Sequence, residues 1–587
     1  LSGGGVIQPE FLPMTRGERA ALGWDELDVI IITGDAYVDH PAFGAALIGR
    51  ALVAAGFRVG IIAQPDWRSA EAFAVLGRPR LFFGVTAGNM DSMVNHYTAQ
   101  RKIRSDDAYT PGGRAGRRPD RACIIYSQMV RRSFKGVPVV LGGIEASLRR
   151  LPHYDFWSDT VRNSILLDAK ADMLVYGMAE KVVVEIARGM AAGRTLEELE
   201  ELRGIVTTTR KADAAHAVML PAYDTVRTPE AFFDYDHVVK EKSAREVMYM
   251  PHAGRYVRHN PPAPPLSTEE LDAVYALPYA RRPHPSYRER IPAFEQIKDS
   301  ITAHRGCFGG CSFCALTAHQ GKTIQSRSEA SIVAEARRIA EGPGFSGVIS
   351  DIGGPTANMY GMRCGRGIST QCPRVSCLFP ERCPHLVCDH RPYMRVLEAV
   401  RKVRGVKKVF IASGIRHDLA LLDNEYMRAL AEQYTGGHLK IAPEHTQAAP
   451  LRAMRKPAVN VYEAFVEKFM ALSERAGKRQ QIIPYLLAGH PGTTLDDAIE
   501  LARYLKRRNI RLEQVQEFTP TPMTASTCMY FTGRDYDTGK PVHVPKGREM
   551  RLHKALVQWY KPENKKYIVE ALRKAGRTGL ASELLAR

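Results

Sequence analysis

Three thiols lie within eight residues near the middle of the chain, in the run Cys307-Phe308-Gly309-Gly310-Cys311-Ser312-Phe313-Cys314. The spacing is C-x3-C-x2-C, and the two glycines let the intervening loop curl tightly. Short loops that supply only thiolates bind soft metals, iron–sulfur clusters in the first place. No further cysteine follows until Cys364. Three thiolates can hold three irons of a four-iron cluster and leave the fourth open, and an open metal position belongs to a catalytic site. A zinc loop that borrows a ligand from elsewhere is the competing reading.

The loop constrains the fold because of what surrounds it. From Gln296 the sequence alternates strand and helix six times, and the thiols directly follow the first strand. The strands are expected near 299–304, 346–352, 407–413, 438–443, 480–488 and 511–519. Helical patterns lie at 328–341, 391–403, 423–434, 459–476 and 496–508. Six units fall short of the eight that close a full β/α barrel, so a partial (β/α)6 barrel is expected, with its working residues where strands end.

A second alternating stretch precedes it. Asp28-Val-Ile-Ile-Ile-Thr33 is a short apolar run that stops at Gly34, as a buried parallel strand should. Strand signals recur at 58–63, 81–85, 122–126, 137–141 and 173–176, which argues for a doubly wound α/β domain. The expected division is therefore 1–205 for that domain, then 206–295 as a proline-rich linker. The barrel follows over 296–525, with a Cys-rich insertion at 360–390, and a helical basic region over 526–587. Ser267 and Glu270 form a capping box within the linker. Between Asn89 and Arg121 the pattern gives way to a long polar loop carrying both charge signs, either functional or a solvated surface.

The insertion holds Cys364, Cys372, Cys377, Cys383 and Cys388, five of the ten cysteines in 587 residues. Their spacings fit no standard zinc knuckle. A structural zinc, an auxiliary iron–sulfur cluster and reactive thiols all remain open, with metal binding favoured. Cys123 and Cys528 stand alone and read as small buried apolar residues. Clustered cysteines indicate a reducing compartment, and neither a signal peptide nor a membrane-length apolar run is seen, so a cytoplasmic protein without a membrane partner is expected. The net charge of +19 favours an anionic partner, and RNA is one candidate. From Lys540 onward there are twelve Lys/Arg against four Asp/Glu, around Gln558-Trp559-Tyr560. Base beside aromatics is a signature of single-stranded nucleic-acid contact, set against an amphipathic bundle packed on the barrel.

The C-x3-C-x-aromatic-C loop resembles that of the radical S-adenosylmethionine (SAM) enzymes. The whole chain resembles YgiQ-type radical SAM proteins, the UPF0313 family, through Gly34-Asp35-Ala36-Tyr37-Val38-Asp39-His40-Pro41, the cysteine loop, the later cysteines and the helical tail. The resemblance implies a [4Fe-4S] cluster on Cys307, Cys311 and Cys314, with SAM chelating the open iron. It also implies reductive cleavage of SAM to a 5′-deoxyadenosyl radical acting on an unknown substrate, and an electron donor of flavodoxin or ferredoxin type. Similarity to relatives also points to cofactor contacts at Gly353-Gly354-Pro355, where Pro355 replaces the usual acid. Further contacts are implied at Glu444 in Ala442-Pro443-Glu444-His445-Thr446, facing ribose or else paired with Arg452 or Arg455. Gly489, in the Gly489-His490-Pro491-Gly492 turn, completes that set. The N-terminal domain looks like a cobalamin-binding domain but departs from its D-x-H-x-x-G motif. Asp39 and Gly44 fit the ends, Pro41 takes the histidine slot, and His40 is one residue out of register. Cobalamin is thus a minor expectation. A methylthiotransferase-like modifier of RNA or protein, and a non-catalytic metal-stabilised RNA-binding protein, are the alternatives.

Overall fold

The computed structural model describes residues 7–368 and 372–585, so residues 369–371 of the Cys-rich insertion lie outside the description. The chain divides into two compact units, one of residues 1–299 with 318–321 and the other of residues 300–317 with 322–587. Among the described residues no helix is long and apolar enough to cross a membrane.

The first unit is built on a nine-stranded sheet. Its strands are β1 (Val29–Thr33), β2 (Val59–Ala63), β3 (Phe82–Thr86), β4 (Val139–Leu141), β5 (Met173–Val175), β6 (Ile205–Thr209), β7 (Val218–Met219), β8 (Met248–His252) and β9 (Arg255–His259). The order across the sheet is β7-β8-β9-β6-β5-β4-β3-β1-β2. The run β2-β1-β3-β4-β5 is all parallel, which is the 2-1-3-4-5 order of flavodoxin-like sheets. Val29–Thr33 is buried at every position, as expected of a strand covered on both faces.

Two expectations differ from the structure. The stretch 122–126 begins a helix, Ala122–Ser133, because Cys-Ile-Ile-Tyr is too short a run to separate strand from helix by pattern alone. Residues 206–295 do more than link. They carry most of β6 and all of β7, β8 and β9, which extend the parallel sheet with largely antiparallel strands. Strands β8 and β9 form a hairpin about Ala253 and Gly254, both at positive φ, the backbone a two-residue hairpin turn requires. The proline run 261–265 comes after the last strand, so it breaks nothing. The Ser267–Glu270 capping box is present, at the start of helix Thr268–Tyr275.

The second unit contains the six strand–helix repeats. Strand β10 (Ser300–Thr302) pairs in parallel with β12 (Asp351–Gly353), and β11 (Val348–Ile349) pairs with β13 (Lys408–Val409). A single parallel bridge, Ile415–Ile441, leads to β14 (His438–Glu444). Strand β15 (Gln481–Ala488) joins it, followed by β16 (Gln516–Glu517). The intervening helices are Glu329–Ala340, Arg391–Arg401, Asn424–Ala429 with a π-helical continuation to Tyr434, Val459–Arg475 and Leu495–Arg507. The apolar faces of the first four meet the strands in one core that includes Ile301, Ile352, Leu397, Ile441 and Phe465, while Leu501 and Leu505 of the fifth pack on Leu486 and Ala488 of β15. The C-terminal helices Arg548–Val557, Lys565–Lys574 and Ala581–Leu585 pack on Leu495–Arg507 through Leu552, Leu556, Ile568 and Leu572.

Burial holds seven histidines well below their ordinary range: His153, His417, His445 and His490 at about 3, His304 at about 4, and His40 and His259 with them. Each stays neutral when folded but takes up a proton when unfolded once the pH drops below about 6.5. Each therefore costs stability as the pH falls from there toward its folded value, by up to about 1.4 kcal/mol per pH unit. The buried carboxyls Asp35, Asp351 and Glu444, raised by burial, act in the opposite sense and are fewer. The unfolding temperature should accordingly fall by several degrees between pH 7 and pH 5. A flat profile over that interval would show that these rings are not buried as described.

Candidate active site

The cysteine loop leaves β10 through Ala303-His304-Arg305-Gly306 and is pinned at several points. Gly310 has φ +65°, and a Cβ there would lie 2.6 Å from the Ser376 Cβ, so both the backbone and the neighbour demand glycine. Ser376 Oγ donates to Gly309 O at 2.7 Å, and Cys377 N donates to Phe308 O at 3.0 Å. The Cys-rich insertion thus grips the loop between its first two thiols. On the far side, Ser312 N and Oγ donate to Met454 O and Ala453 O, at 3.2 and 2.7 Å. Ser526 Oγ donates to Ser312 Oγ at 2.9 Å and lies 2.6 Å from His490 Nε2. Phe313 packs edge-on to the His490 ring and joins Met454, Leu487 and Phe518. The intervening residues of Cys311-Ser312-Phe313-Cys314 therefore tie the loop to the ends of the fifth and sixth strands.

Cys307 and Cys311 are half-buried and Cys314 is exposed. Gly309 N donates to Cys307 Sγ at 3.4 Å, Thr356 Oγ1 lies 3.6 Å from the same sulfur, and Arg416 Nη1 donates to Cys311 Sγ at 3.8 Å. Burial and the neighbouring Cys311 push the Cys307 thiol up. A bound cation inverts that order, since a coordinating thiol is deprotonated outright. Three adjacent sulfurs with N–H and guanidinium donors aimed at two of them form a donor set that fits an iron–sulfur cluster.

The other expected contact residues are placed unevenly. A Cβ on Gly353 would meet Ser413 Oγ, and one on Gly354 would lie 2.6 Å from the His304 ring. These glycines admit the protein's own side chains, and Pro355 leads directly to Thr356 beside Cys307. Gly489 sits at φ +74° against the Met550 side chain of the C-terminal bundle, not against the thiols. Glu444 ends β14 at φ +69° and is buried. It pairs with neither Arg452 nor Arg455. Its Oε1 is 3.7 Å from Lys456 Nζ, its Oε2 is buried without a hydrogen-bond partner among the described residues, and Arg455 binds Asp537 instead. Burial raises the Glu444 carboxyl against the pull of Lys456 and Arg416.

Sequence reasoning missed Arg416, His417, Asp418 and Lys456. Asp418 takes Arg416 Nε and Nη2 at 2.8 and 2.6 Å, while Asn358 accepts from Arg416 N and donates to Arg416 O. Burial alone would raise Asp418, yet the guanidinium brings it down to about 2. The available signal was position, because Gly414-Ile415-Arg416-His417-Asp418 follows the third strand, where a βα loop carries function.

Within the insertion, Cys364 pairs across a short ladder with Leu386, and Cys383 N donates to Cys377 O at 2.8 Å. Burial raises the Cys377 thiol, Lys322 draws it down, and Cys383 and Cys372 are its thiol neighbours. Cys388 packs with Cys377 against Phe308, Met359 and Leu419. Among the described residues no three His, Cys, Asp or Glu side chains form a site for a single metal ion. The aromatic patch of the tail is folded in. Trp559 Nε1 donates to Ile510 O, the ring has Lys506 and Arg511 over it, and Tyr560 OH donates to Leu512 O. These side chains are engaged by the chain itself.

The N-terminal sheet allows a direct test of cobalamin. In a 2-1-3-4-5 sheet a ligand sits at the carboxyl ends of β1 and β3, the topological switch point. Here the polar loop of residues 89–121 fills that place. Arg118, its side chain fully buried, donates to Ala87 O and lies 2.8 Å from Asp35 and 3.2 Å from Asp107. Gln64 bridges Gly34 O and Thr110, and Ser92 N and Cys123 N donate to Glu145 beyond β4. A Cβ on Gly88 would lie 2.1 Å from Asp35 Oδ1, and one on Gly143 would lie 2.3 Å from Thr86 Oγ1. The glycines serve the chain's own close packing. Asp39 is bound by Arg50, Tyr37 OH and Ala280 N, and His40 is buried beside Phe43 and Phe294. These residues do not fit a corrin at this edge.

The family described as Radical SAM N-terminal matches residues 11–300, the Radical SAM superfamily matches residues 301–505, and a domain of unknown function (DUF3362) matches residues 513–583. The chain is 54% identical to a UPF0313 protein of Geobacter sulfurreducens, over 98% of this chain and 96% of that one. It is 47% identical to the UPF0313 protein YgiQ of Escherichia coli, over 97% and 86%. Among solved structures it is similar in fold to the radical SAM methyltransferase TsrM of Kitasatospora setae, solved with cobalamin and a [4Fe-4S] cluster. That likeness has a TM-score of 0.51 at 14% identity and covers 85% of this chain and 77% of that one. Unlike that protein, the present chain should emerge from gel filtration without corrin absorbance after incubation with hydroxocobalamin. One corrin retained per chain would contradict the filled edge.

Proposed function

This chain belongs to the UPF0313 family of radical SAM proteins, and we propose that Cys307, Cys311 and Cys314 are the thiolates through which it works. It is a radical SAM enzyme with an unknown substrate. The chemistry supplied by a bound [4Fe-4S] cluster and SAM is one-electron cleavage of the sulfonium and hydrogen abstraction from that substrate. The observation that carries the assignment is the pinned C-x3-C-x2-C loop at the exit of the first barrel strand, with donors set on Cys307 and Cys311.

The protein's own groups take the remaining roles. Thr356 and the Gly309 amide hold the Cys307 sulfur in place, and the Ser312–Ser526–His490 chain keeps the loop from drifting off the strand ends. Glu444 offers a buried carboxylate oxygen that no donor in the described residues satisfies, which suits the hydroxyls of a ribose. Gly353, Gly354 and Pro355 shape the adjoining turn, and Gly489 acts at one remove by seating the C-terminal helix Arg548–Val557. The electron comes from a donor of flavodoxin or ferredoxin type.

Replacing any one of the three cysteines, as in Cys307→Ala, Cys311→Ala or Cys314→Ala, should abolish formation of 5′-deoxyadenosine from SAM under dithionite. Cys528→Ala, buried in the sixth-strand helix, should leave that reaction within about twofold of wild type. Continued 5′-deoxyadenosine formation in the first three variants would refute the assignment.

A further inference from the structure

We propose that Arg416 is a positioning residue that sets the reduction potential of the cluster, by holding a fixed positive charge against the Cys311 sulfur. The inference rests on the reading that Cys311 is a cluster ligand, and it deepens that reading by naming what controls electron entry.

Three features of the geometry carry it. Arg416 is only 6% exposed, so its charge is not diluted by water. Asp418 grips Nε and Nη2 in a forked pair, which leaves Nη1 as the nitrogen turned to Cys311 Sγ, 3.8 Å away. Asn358, fully buried in the loop after the second strand, locks the Arg416 backbone from both sides, donating to its carbonyl at 3.0 Å and accepting from its amide at 2.8 Å. Such a construction costs desolvation of a guanidinium, and a surface-exposed role would not require it. A side chain held this firmly cannot swing away to serve a mobile substrate.

The consequence follows from charge. A one-electron reduction adds negative charge to the cluster and its thiolates, so a nearby cation favours the reduced form and raises the potential. Hydrogen bonds to ligating sulfurs act in the same direction. Asp418 opposes this partly, because it lies behind the guanidinium with the opposite sign. Removing the cation and removing its counter-charge should therefore move the potential in opposite directions, whereas damage to the loop would not produce a paired, opposite response.

The test is an EPR-monitored redox titration of full-length, anaerobically reconstituted protein without SAM. Iron and sulfide analysis of the wild type comes first. A wild type that loads no cluster would sink the ligand assignment itself, and a loaded one isolates the present proposal. Arg416→Gln should shift the reduction equilibrium at least about tenfold toward the oxidised cluster, about 59 mV more negative for a one-electron couple. Arg416→Lys, which keeps the charge, should stay within about threefold of wild type. Asp418→Asn should shift the equilibrium the other way, toward the reduced cluster. An unchanged potential in Arg416→Gln, or shifts of the same sign in Arg416→Gln and Asp418→Asn, would overturn the proposal. If Arg416→Gln takes up no cluster, Asp418→Asn decides: an upward shift supports the proposal, and no shift or a downward one overturns it.

Discussion

The grip of the Cys-rich insertion and the strand-end loops on a single glycine-rich turn is the constraint on which the site depends. Gly310 cannot carry a Cβ without colliding with Ser376, and Ser376 and Cys377 bind the carbonyls of Gly309 and Phe308. Beyond that grip, Ser312 is held by Ala453, Met454 and Ser526, and Phe313 packs on His490. A loop of eight residues, which alone would sample many shapes at a cost of about 1–2 kcal/mol per residue to fix, is thereby set before any metal arrives. This arrangement explains why the insertion belongs to the barrel: its cysteines lie beside the loop that it orders.

The N-terminal unit shows a different use of an old architecture. Its parallel core has the strand order that elsewhere opens a ligand crevice, yet the loop of residues 89–121 closes that crevice with Arg118, Asp35 and Asp107. A buried guanidinium between two carboxylates is strongly destabilising to break and contributes little net stability when formed, so its value here lies in fixing how the loop is seated. Fold similarity to a cobalamin-bound enzyme therefore does not carry the cofactor with it.

Much of this was readable from sequence where local pattern and global fold agree. The five barrel helices fall within a residue or two of their expected limits, because each buries an apolar stripe, and three of them start on side-chain caps: Ser328, Asp423, and Thr494 with Asp497. The three-cysteine loop follows the first barrel strand, as the strand pattern requires. What could not be read were pairings distant in sequence. Nothing near Arg416 announces Cys311, 105 residues earlier, and nothing in Glu444 chooses Lys456 over Arg455. Residues 206–295 read as a linker since prolines dominate the eye, and β8 and β9 show no apolar–polar alternation in sequence to mark them as strands. Gly353 and Gly354 read as ligand contacts, but their bareness makes room for Ser413 and His304. The tail was ambiguous in sequence because base and aromatic residues serve equally in a packed bundle, where Trp559 is found.

Held by Cys307, Cys311 and Cys314, a four-iron cluster would keep one iron without a protein ligand, free to take SAM. Mössbauer spectra of the ⁵⁷Fe-reconstituted protein, in which Cys364, Cys372, Cys377, Cys383 and Cys388 are replaced by Ser, test that directly. One iron in four should change its isomer shift and quadrupole splitting when SAM is added. Four irons that ignore SAM, or a chain that holds zinc in place of iron, would contradict the account.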